Sequence, residues 1–405
     1  MLILKLGWKN IWRSPIRSGV VIGAVLIGTW AGIFILAFSN GMTKQYIKDQ
    51  LDTYVGHIQI HDPKYLQENL PQYSISQPDS LIQQLKSYPF ITNIAAHSEV
   101  QGLAMSSANT FGVSIIGIDT TEEKKVSTVY TDIKKGNYLK NDVRNPVIIG
   151  QKLADKLDLR LHSKLILNFQ DIHNEISAGA FRVVGIFSTN NSTFDEQNIF
   201  VQKDDLDRLL GQPGLVDELV LRVDNIKQAP NYAKRLQKKY PDLTVQSWGD
   251  IAPELRYADA SMDYTMYIFM GVLILALTLG IINTMLMAVM ERTKELGMLM
   301  AVGMNRSRVF SMILIETFYL IFVAVPIGLL LAWGTVAVTA HTGIDVSAFS
   351  KGLAAYGLST VIHPELSGIY YLNISIMMGI AAILAAIYPA WKALNLKPVE
   401  AIRKL

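Results

Sequence analysis

Four long apolar runs divide the chain: Ser18 to Phe38, Tyr264 to Met290, Val309 to about Ala340 and Ile369 to Tyr388. At 1.5 Å of rise per helical residue, about 20 apolar residues cross the roughly 30 Å hydrocarbon layer of a bilayer. Each run therefore reads as a transmembrane helix, with bounds at 18–40, 264–290, 309–340 and 369–388. Pro326 and Gly328 are expected to interrupt the third, and Pro389 to close the fourth. Lys5, Lys9, Arg13 and Arg17 precede the first run, so a cleaved signal peptide is its alternative reading. The run is long and no A-x-A site follows, which favours a retained anchor. Within residues 1–17, Leu4, Trp8, Ile11 and Trp12 share one helical face, with Lys5, Lys9 and Arg13 displaced from it. That pattern reads as an amphipathic helix lying on the inner membrane surface.

Between the first two runs, residues 41–263 change to the alternation and turn chemistry of an α+β domain. Strands are expected at His57–Ile60, Val113–Ile118, Pro146–Gly150, Lys164–Phe169, Phe181–Phe187, Asn198–Gln202 and Glu218–Val223. Helices are expected at Asp79–Ser87, Gln151–Leu157, Asp204–Leu210 and Ile226–Tyr240. The strand-rich stretch from about 131 to 211 reads as an inserted subdomain. Inside it, the small-residue runs Ile176–Ala180 and Ser188–Ser192 read as loops. The segment PELRYADASMDY, from Pro253, is expected to lead as a helical stalk into the second run.

Composition supports a membrane protein with a large aqueous domain, since half of the residues are hydrophobic and the mean hydropathy is +0.26. The absence of cysteine excludes disulfides, thiolate metal sites and a cysteine nucleophile. Residues 1–17, 291–308 and 389–405 each carry four Lys or Arg, with three acidic residues among all three segments. The positive-inside rule places these segments in the cytoplasm and leaves 41–263 and the loop 341–368 outside. No basic tract suggests nucleic acid, and no Ser/His/Asp set or carboxylate pair has spacing that assigns a catalytic residue. His57 and His61 lie about 13 Å apart along a strand at roughly 3.3 Å per residue, too far to share a metal. Packing or surface roles fit them.

Three stretches resemble the FtsX-like ABC transporter permeases. ERTKELGMLMAVGMNRSRV resembles the cytoplasmic coupling segment ERxxEIGxxxAxG, YPAWKALNLKPVEAIR resembles the terminal PAxxAxxxxPxEALR, and LGWKNIWRSPIRSGVVIG resembles the opening NLxRxxxRT. The resemblance covers the whole chain. It implies four transmembrane helices with a large periplasmic α/β domain of MacB type between the first and second, Porter-like with a Sabre-like insertion. No G-x-x-x-x-G-K-[ST] phosphate-binding loop is present. The resemblance therefore implies a separate cytoplasmic ATPase dimer that holds ATP and Mg, with no cofactor in this chain. It also implies a second permease chain, identical or homologous, and mechanotransmission across a bacterial inner membrane rather than a path through it.

The coupling residues that this implies are Glu291, Arg292, Lys294, Glu295, Leu296, Gly297, Met298 and Gly303. Their charges are too polar for hydrocarbon. Leu296, Met298, Leu299 and Met300 offer an apolar side to a partner, and Gly297 and Gly303 permit close approach and a sharp exit. A solvated interhelical turn is the plainer alternative. The form most resembled is the lipoprotein-releasing LolC and LolE type, which implies a lipoprotein substrate, a periplasmic carrier and an acyl-chain cleft. The expected cleft residues are Phe34, Ile35, Phe38, Met42, Tyr264, Tyr267, Ile268 and Gly271. They would otherwise face lipid or pack between helices, and the two tyrosines would act as interfacial anchors. MacB-type efflux and FtsX-like control of cell-wall hydrolases are the competing functions. Glu316, the one acid in the third run, is expected to pair with Arg292, Arg306 or Arg308, and the Met285–Met304 cluster to serve as adaptable packing.

Overall fold

The computed structural model describes residues 8, 11, 15–139 and 143–394. Most of the expected surface helix at 1–17, and the tail beyond residue 394, lie outside the described residues. In chain order the elements are α1 (Pro15–Gln50), followed by a π-helical turn Leu51–Val55, β1 (Ile58–His61), α2 (Pro78–Lys86), β2 (Ile91–Met105), β3 (Thr110–Ile118), α3 (Thr120–Val126), β4 (Ile133–Gly136), β5 (Pro146–Gly150), α4 (Gln151–Lys156), β6 (Lys164–Gln170) and β7 (Ile176–Phe187). Next come α5 (Ser192–Gln197), β8 (Asn198–Gln202), α6 (Lys203–Leu210), β9 (Glu218–Val223), α7 (Ala229–Lys239), β10 (Thr244–Ser247), α8 (Pro253–Glu291), α9 (Thr293–Ala301), α10 (Arg306–Thr342), β11 (Ile344–Asp345), α11 (Ser350–Ala355), β12 (Val361–Ile362) and α12 (Gly368–Leu394). They form two compact units. The helical unit comprises the described residues up to Thr43, Ala260–Asp345 and those from Val361, and the α/β unit comprises Lys44–Asp259 and Val346–Thr360.

In the helical unit, α1, α8, α10 and α12 are long and apolar enough to cross a membrane. Lipid tails give no hydrophobic drive for helices to associate, so close packing over small residues must do so. Gly28 and Gly32 of α1 sit under Leu277 and Leu273 of α8, and Gly328 of α10 lies against the Leu26 carbonyl and Thr29 of α1. The Trp30 indole N–H donates to Thr335 Oγ1 at 3.1 Å. These contacts correct one expectation: α10 runs unbroken through Pro326, and Gly328 is a packing position rather than a break. A proline that costs one backbone bond is tolerated where neighbouring helices hold the segment. Likewise α12 continues past Pro389 to Leu394, with Pro389, Ala390 and Ala393 buried.

In the α/β unit, the strands follow the order β10-β1-β9-β2-β3-β8-β5-β7-β4, with β6 bridging β2 and β7. Three apolar cores line this sheet path, one of them built from Ile116, Ile118, Ile148, Phe187, Phe194 and Phe200. Another gathers Ile58, Ile60, Leu85, Ile94, Leu219, Leu221 and Leu236. The third gathers Val100, Ala104, Val113, Ile115, Leu153, Leu167, Phe181, Leu206 and Leu210. β2 and β3 contribute to this third core from Val100 onward. Ile176–Ala180 is strand, not loop, and pairs with Ile166–Gln170 in unbroken register. Its small residues fit beneath α6, where Gly179 lies against Leu209.

β2, β4 and β10 carry no strand expectation from the sequence, and β2 links two of these cores. It pairs with β9 as far as His97 and with β3 from Ser98 onward. Gly150 marks another tight point, where any Cβ would collide with the Asp195 backbone. Replacing Gly150 by Ala should destabilise the α/β unit by about 1–3 kcal/mol through overpacking. The thermal transition of the purified chain would show this as a lowered midpoint.

Candidate functional site

The segment that joins α8 to α10 folds back as the short helix α9, and one ion pair fixes its start. Arg292 Nη1 donates to Glu316 Oε1 at 3.1 Å and Oε2 at 3.2 Å, with both side chains largely buried. Burying two charges costs several kcal/mol each unless they meet, so the pair ties the α8–α9 corner to α10. Leu296 inserts into the same core as Met285, Val289, Val309, Met312 and Ile313. Behind α9 lies a cavity of about 380 Å³, lined by Met285, Val289, Leu299 and Met312 beside the ion pair. At the far end Gly303 takes a left-handed φ of +101°, and Asn305 caps α10 by accepting from the Ser307 N–H. That conformation favours glycine, so the sharp exit has its local cause.

This arrangement divides the expected coupling residues. Glu291, Lys294, Met298 and Gly303 are exposed, while Arg292 and Glu295 are half-buried. Leu296 and Gly297 are buried within this chain. The helical period is the reason, since both fall on the face turned toward the packed core. Met298, an expected coupling residue, is 60% exposed, and Val302 is 84% exposed. Val302 carries no sequence signal beyond its place in the segment.

Of the expected cleft residues, Tyr264, Tyr267 and Ile268 are exposed, and Gly271 has open space around its Cα. Phe34 stacks on Trp30, Phe38 and Met42 are half-buried, and Ile35 is exposed. The residues through which α1 and α8 meet are different ones: Ile33 and Leu36 share a core with Met262, Met266 and Met270. Spacing alone does not say which stripe of α8 turns inward, because apolar residues surround the helix on every side.

A second constellation escapes motif reading altogether. Register places His61 opposite Glu218 and Glu218 opposite His97, so one row of side chains crosses β1, β9 and β2. His97 Nε2 meets Glu123 Oε2 at 2.6 Å, and its Nδ1 lies 3.6 Å from Glu218 Oε2. Burial opposes the charge on His97, yet Glu123 and Glu218 overcome it and raise its pKa to about 10. One residue on, Ser98 Oγ donates to Asp207 and to the Leu215 carbonyl, and Lys203 Nζ donates to Ser98, Asp207 and Leu215. The Glu99 N–H donates to Asp217 Oδ2 at 3.0 Å. His57 accepts the Val223 N–H, and His61 stacks on Tyr65, so both histidines pack within the fold. Among the described residues, no group of three or more His, Cys, Asp or Glu is placed to hold a metal.

Glu316→Gln should replace the carboxylate that faces Arg292 by a neutral amide and cost about 3–5 kcal/mol, whereas replacing both residues by Met should recover most of the loss. Melting of the detergent-solubilised chain would compare the three. Protonated His97 stabilises the fold because its pKa is raised from an ordinary 6.5. This contribution is complete below pH 6.5 and is lost as pH rises through 10. The thermal midpoint should therefore fall between pH 7 and pH 10 in the parent, and His97→Gln should start lower and respond less to pH.

The FtsX-like permease C-terminal family model matches residues 267–398, and the MacB-like periplasmic core domain model matches residues 18–239. The lipoprotein-releasing system transmembrane protein LolC of Buchnera aphidicola is 21% identical, with 97% of this chain and 96% of that one aligned. An ABC transporter permease of Methanocaldococcus jannaschii is 22% identical over 99% of this chain and 97% of its own. The macrolide export ATP-binding/permease protein MacB of Bdellovibrio bacteriovorus is 25% identical over 98% of this chain, which spans 61% of that protein. The crystal structure of the periplasmic region of MacB from Actinobacillus actinomycetemcomitans matches with a TM-score of 0.34 at 13% identity, covering 52% of this chain and 98% of that one. With four membrane-crossing helices, a mixed α/β unit and a core-domain match over more than half its length, this chain belongs to the family of FtsX-like ABC transporter permeases with a MacB-like periplasmic core domain.

Proposed function

We propose that this chain is the lipoprotein-releasing permease subunit of an ABC transporter. In this reading it sits in a bacterial inner membrane with its α/β unit in the periplasm, and a separate cytoplasmic ATPase dimer binds ATP and Mg. The observation that carries the lipoprotein reading is the end-to-end alignment with LolC proteins, which leaves almost none of either chain over. The positive segments 291–308 and 389–405 support the orientation. The exposed Met298 and Val302, beside exposed Lys294, support α9 as the surface pressed by the ATPase. Motion delivered there would reach the periplasm through the transmembrane helices, and a second permease chain would complete the complex. Phe34, Ile35, Phe38, Met42, Tyr264, Tyr267, Ile268 and Gly271 are the proposed acyl-chain contacts, and a periplasmic carrier receives the cargo. The MacB-like core supports efflux as the second reading.

Met298→Asp together with Val302→Asp should lower substrate-stimulated ATP turnover of the purified complex at least tenfold, with membrane insertion intact. Turnover equal to the parent would remove α9 as the input surface. Copurification tests the cargo: an acylated protein bound to the parent supports release, a membrane-fusion adaptor supports efflux, and a cell-wall hydrolase would overturn both in favour of regulation.

A further inference from the structure

We propose that the α/β unit holds a binding site for an aliphatic ammonium group, in the pocket that opens onto the Glu99 carboxylate. This inference is independent of the cargo and of the ATPase.

The pocket exists because two strand pairings do not coincide. β3 pairs with β2 along its length down to Thr110, but β8 joins β3 only from Ser114, opposite Asn198. Beside the uncovered part of β3 lies a space of about 430 Å³, lined by Tyr54, Glu99, Gln101, Ser114, Gln197 and Asn198. Gly112 and Val113 complete its wall. The lining holds one carboxylate, three carboxamides, two hydroxyls and no basic side chain.

Glu99 is half-buried and receives only neutral donors. Its Oε1 accepts from Ser114 Oγ at 2.5 Å and from Gln101 Nε2 at 3.5 Å, and its Oε2 faces the Tyr54 hydroxyl at 3.5 Å. The charged groups around it come from several elements. Asp217 just before β9, Glu218 at the start of β9 and Glu123 on α3 are acidic. His97 on β2 is committed to Glu123, and Lys203 on α6 to Asp207. Tyr65 directs its hydroxyl to the Glu99 carbonyl. A carboxylate withdrawn from water without a cation is costly, so its charged form is disfavoured. Burial first, and Glu218 next, raise the Glu99 pKa to about 7. The open side of the pocket is where compensating charge can enter.

An ammonium group fits this lining in both charge and hydrogen bonding. It carries three donors and no acceptor, and here it meets a carboxylate, carboxamide oxygens and the Tyr54 ring. A divalent metal is the poorer match, because one carboxylate among neutral amides lacks the anionic oxygens that such ions collect. The volume admits the head group with a short alkyl chain. Binding displaces the Glu99 proton, so affinity increases as pH rises from 6 to 8, while an alkylammonium of pKa near 10.4 remains charged.

The test uses the full chain in lipid nanodiscs and calorimetric titration with two probes, 1,5-diaminopentane and Nα-acetyl-lysine N-methylamide. The expected result is saturable one-to-one binding that strengthens severalfold from pH 6 to pH 8 and weakens at least tenfold in Glu99→Gln. Gly112→Leu should abolish it by filling the pocket, since a Cβ at Gly112 meets no atom within 4 Å and is added without a backbone clash. Binding of both probes upholds the site and identifies a free small amine as a sufficient ligand. Binding of the lysine amide alone upholds it with a polypeptide lysine as the source. Absence of saturable binding, or equal binding by the parent and both variants, overturns it. Should Glu99→Gln melt below the parent, Gly112→Leu decides.

Discussion

The α/β unit depends on one strand that must serve two hydrophobic cores and remain polar where it passes between them. β2 leaves β9 at His97 and joins β3 at Ser98, and the returning chain crosses beside it from Leu215 to Glu218. Buried backbone and side-chain polar groups at such a crossing need partners. His97, Glu123, Glu218, Ser98, Asp207 and Lys203 supply them.

The helical unit obeys a different constraint. Water drives none of its helix contacts, and its geometry is set where small residues allow backbones to approach, at Gly28, Gly32 and Gly328. The Arg292–Glu316 pair then places α9 against the ends of α8 and α10. The segment after α8 thus leaves Met298 and Val302 exposed while the helices behind it are packed. The family assignment rests on both units, since one family model matches the helical C-terminal part and the other reaches from α1 through most of the α/β unit.

Several elements were legible because their physical signal is local. The four membrane helices follow from apolar length, β5, β8 and β9 from short β-branched runs between turn residues, and the α9 exit from a glycine after an apolar run. β2 was hidden for the reason that makes it important. ITNIAAHSEVQGLAM carries His97 and Ser98 at positions that tertiary contacts bury and Glu99 at one they half-bury, and this breaks the alternation by which strands are recognised. Ile176–Ala180 failed in the opposite sense: small residues that suggest a loop were selected for clearance beneath α6.

The sequence by itself determined the membrane-crossing segments, the mixed character of residues 41–263, the clustering of positive charge in 1–17, 291–308 and 389–405 and the motifs that carry the family. These are properties of stretches of about 20 residues or fewer, and local composition and period encode them. Only the tertiary structure decided which face of each helix turns inward, so that Leu296 and Gly297 are buried while Met298 and Val302 are open. It alone brought His61, Glu218 and His97 into one row and opened a pocket at Glu99. Strand register and helix rotation join residues more than a hundred positions apart, and no local pattern specifies such neighbours.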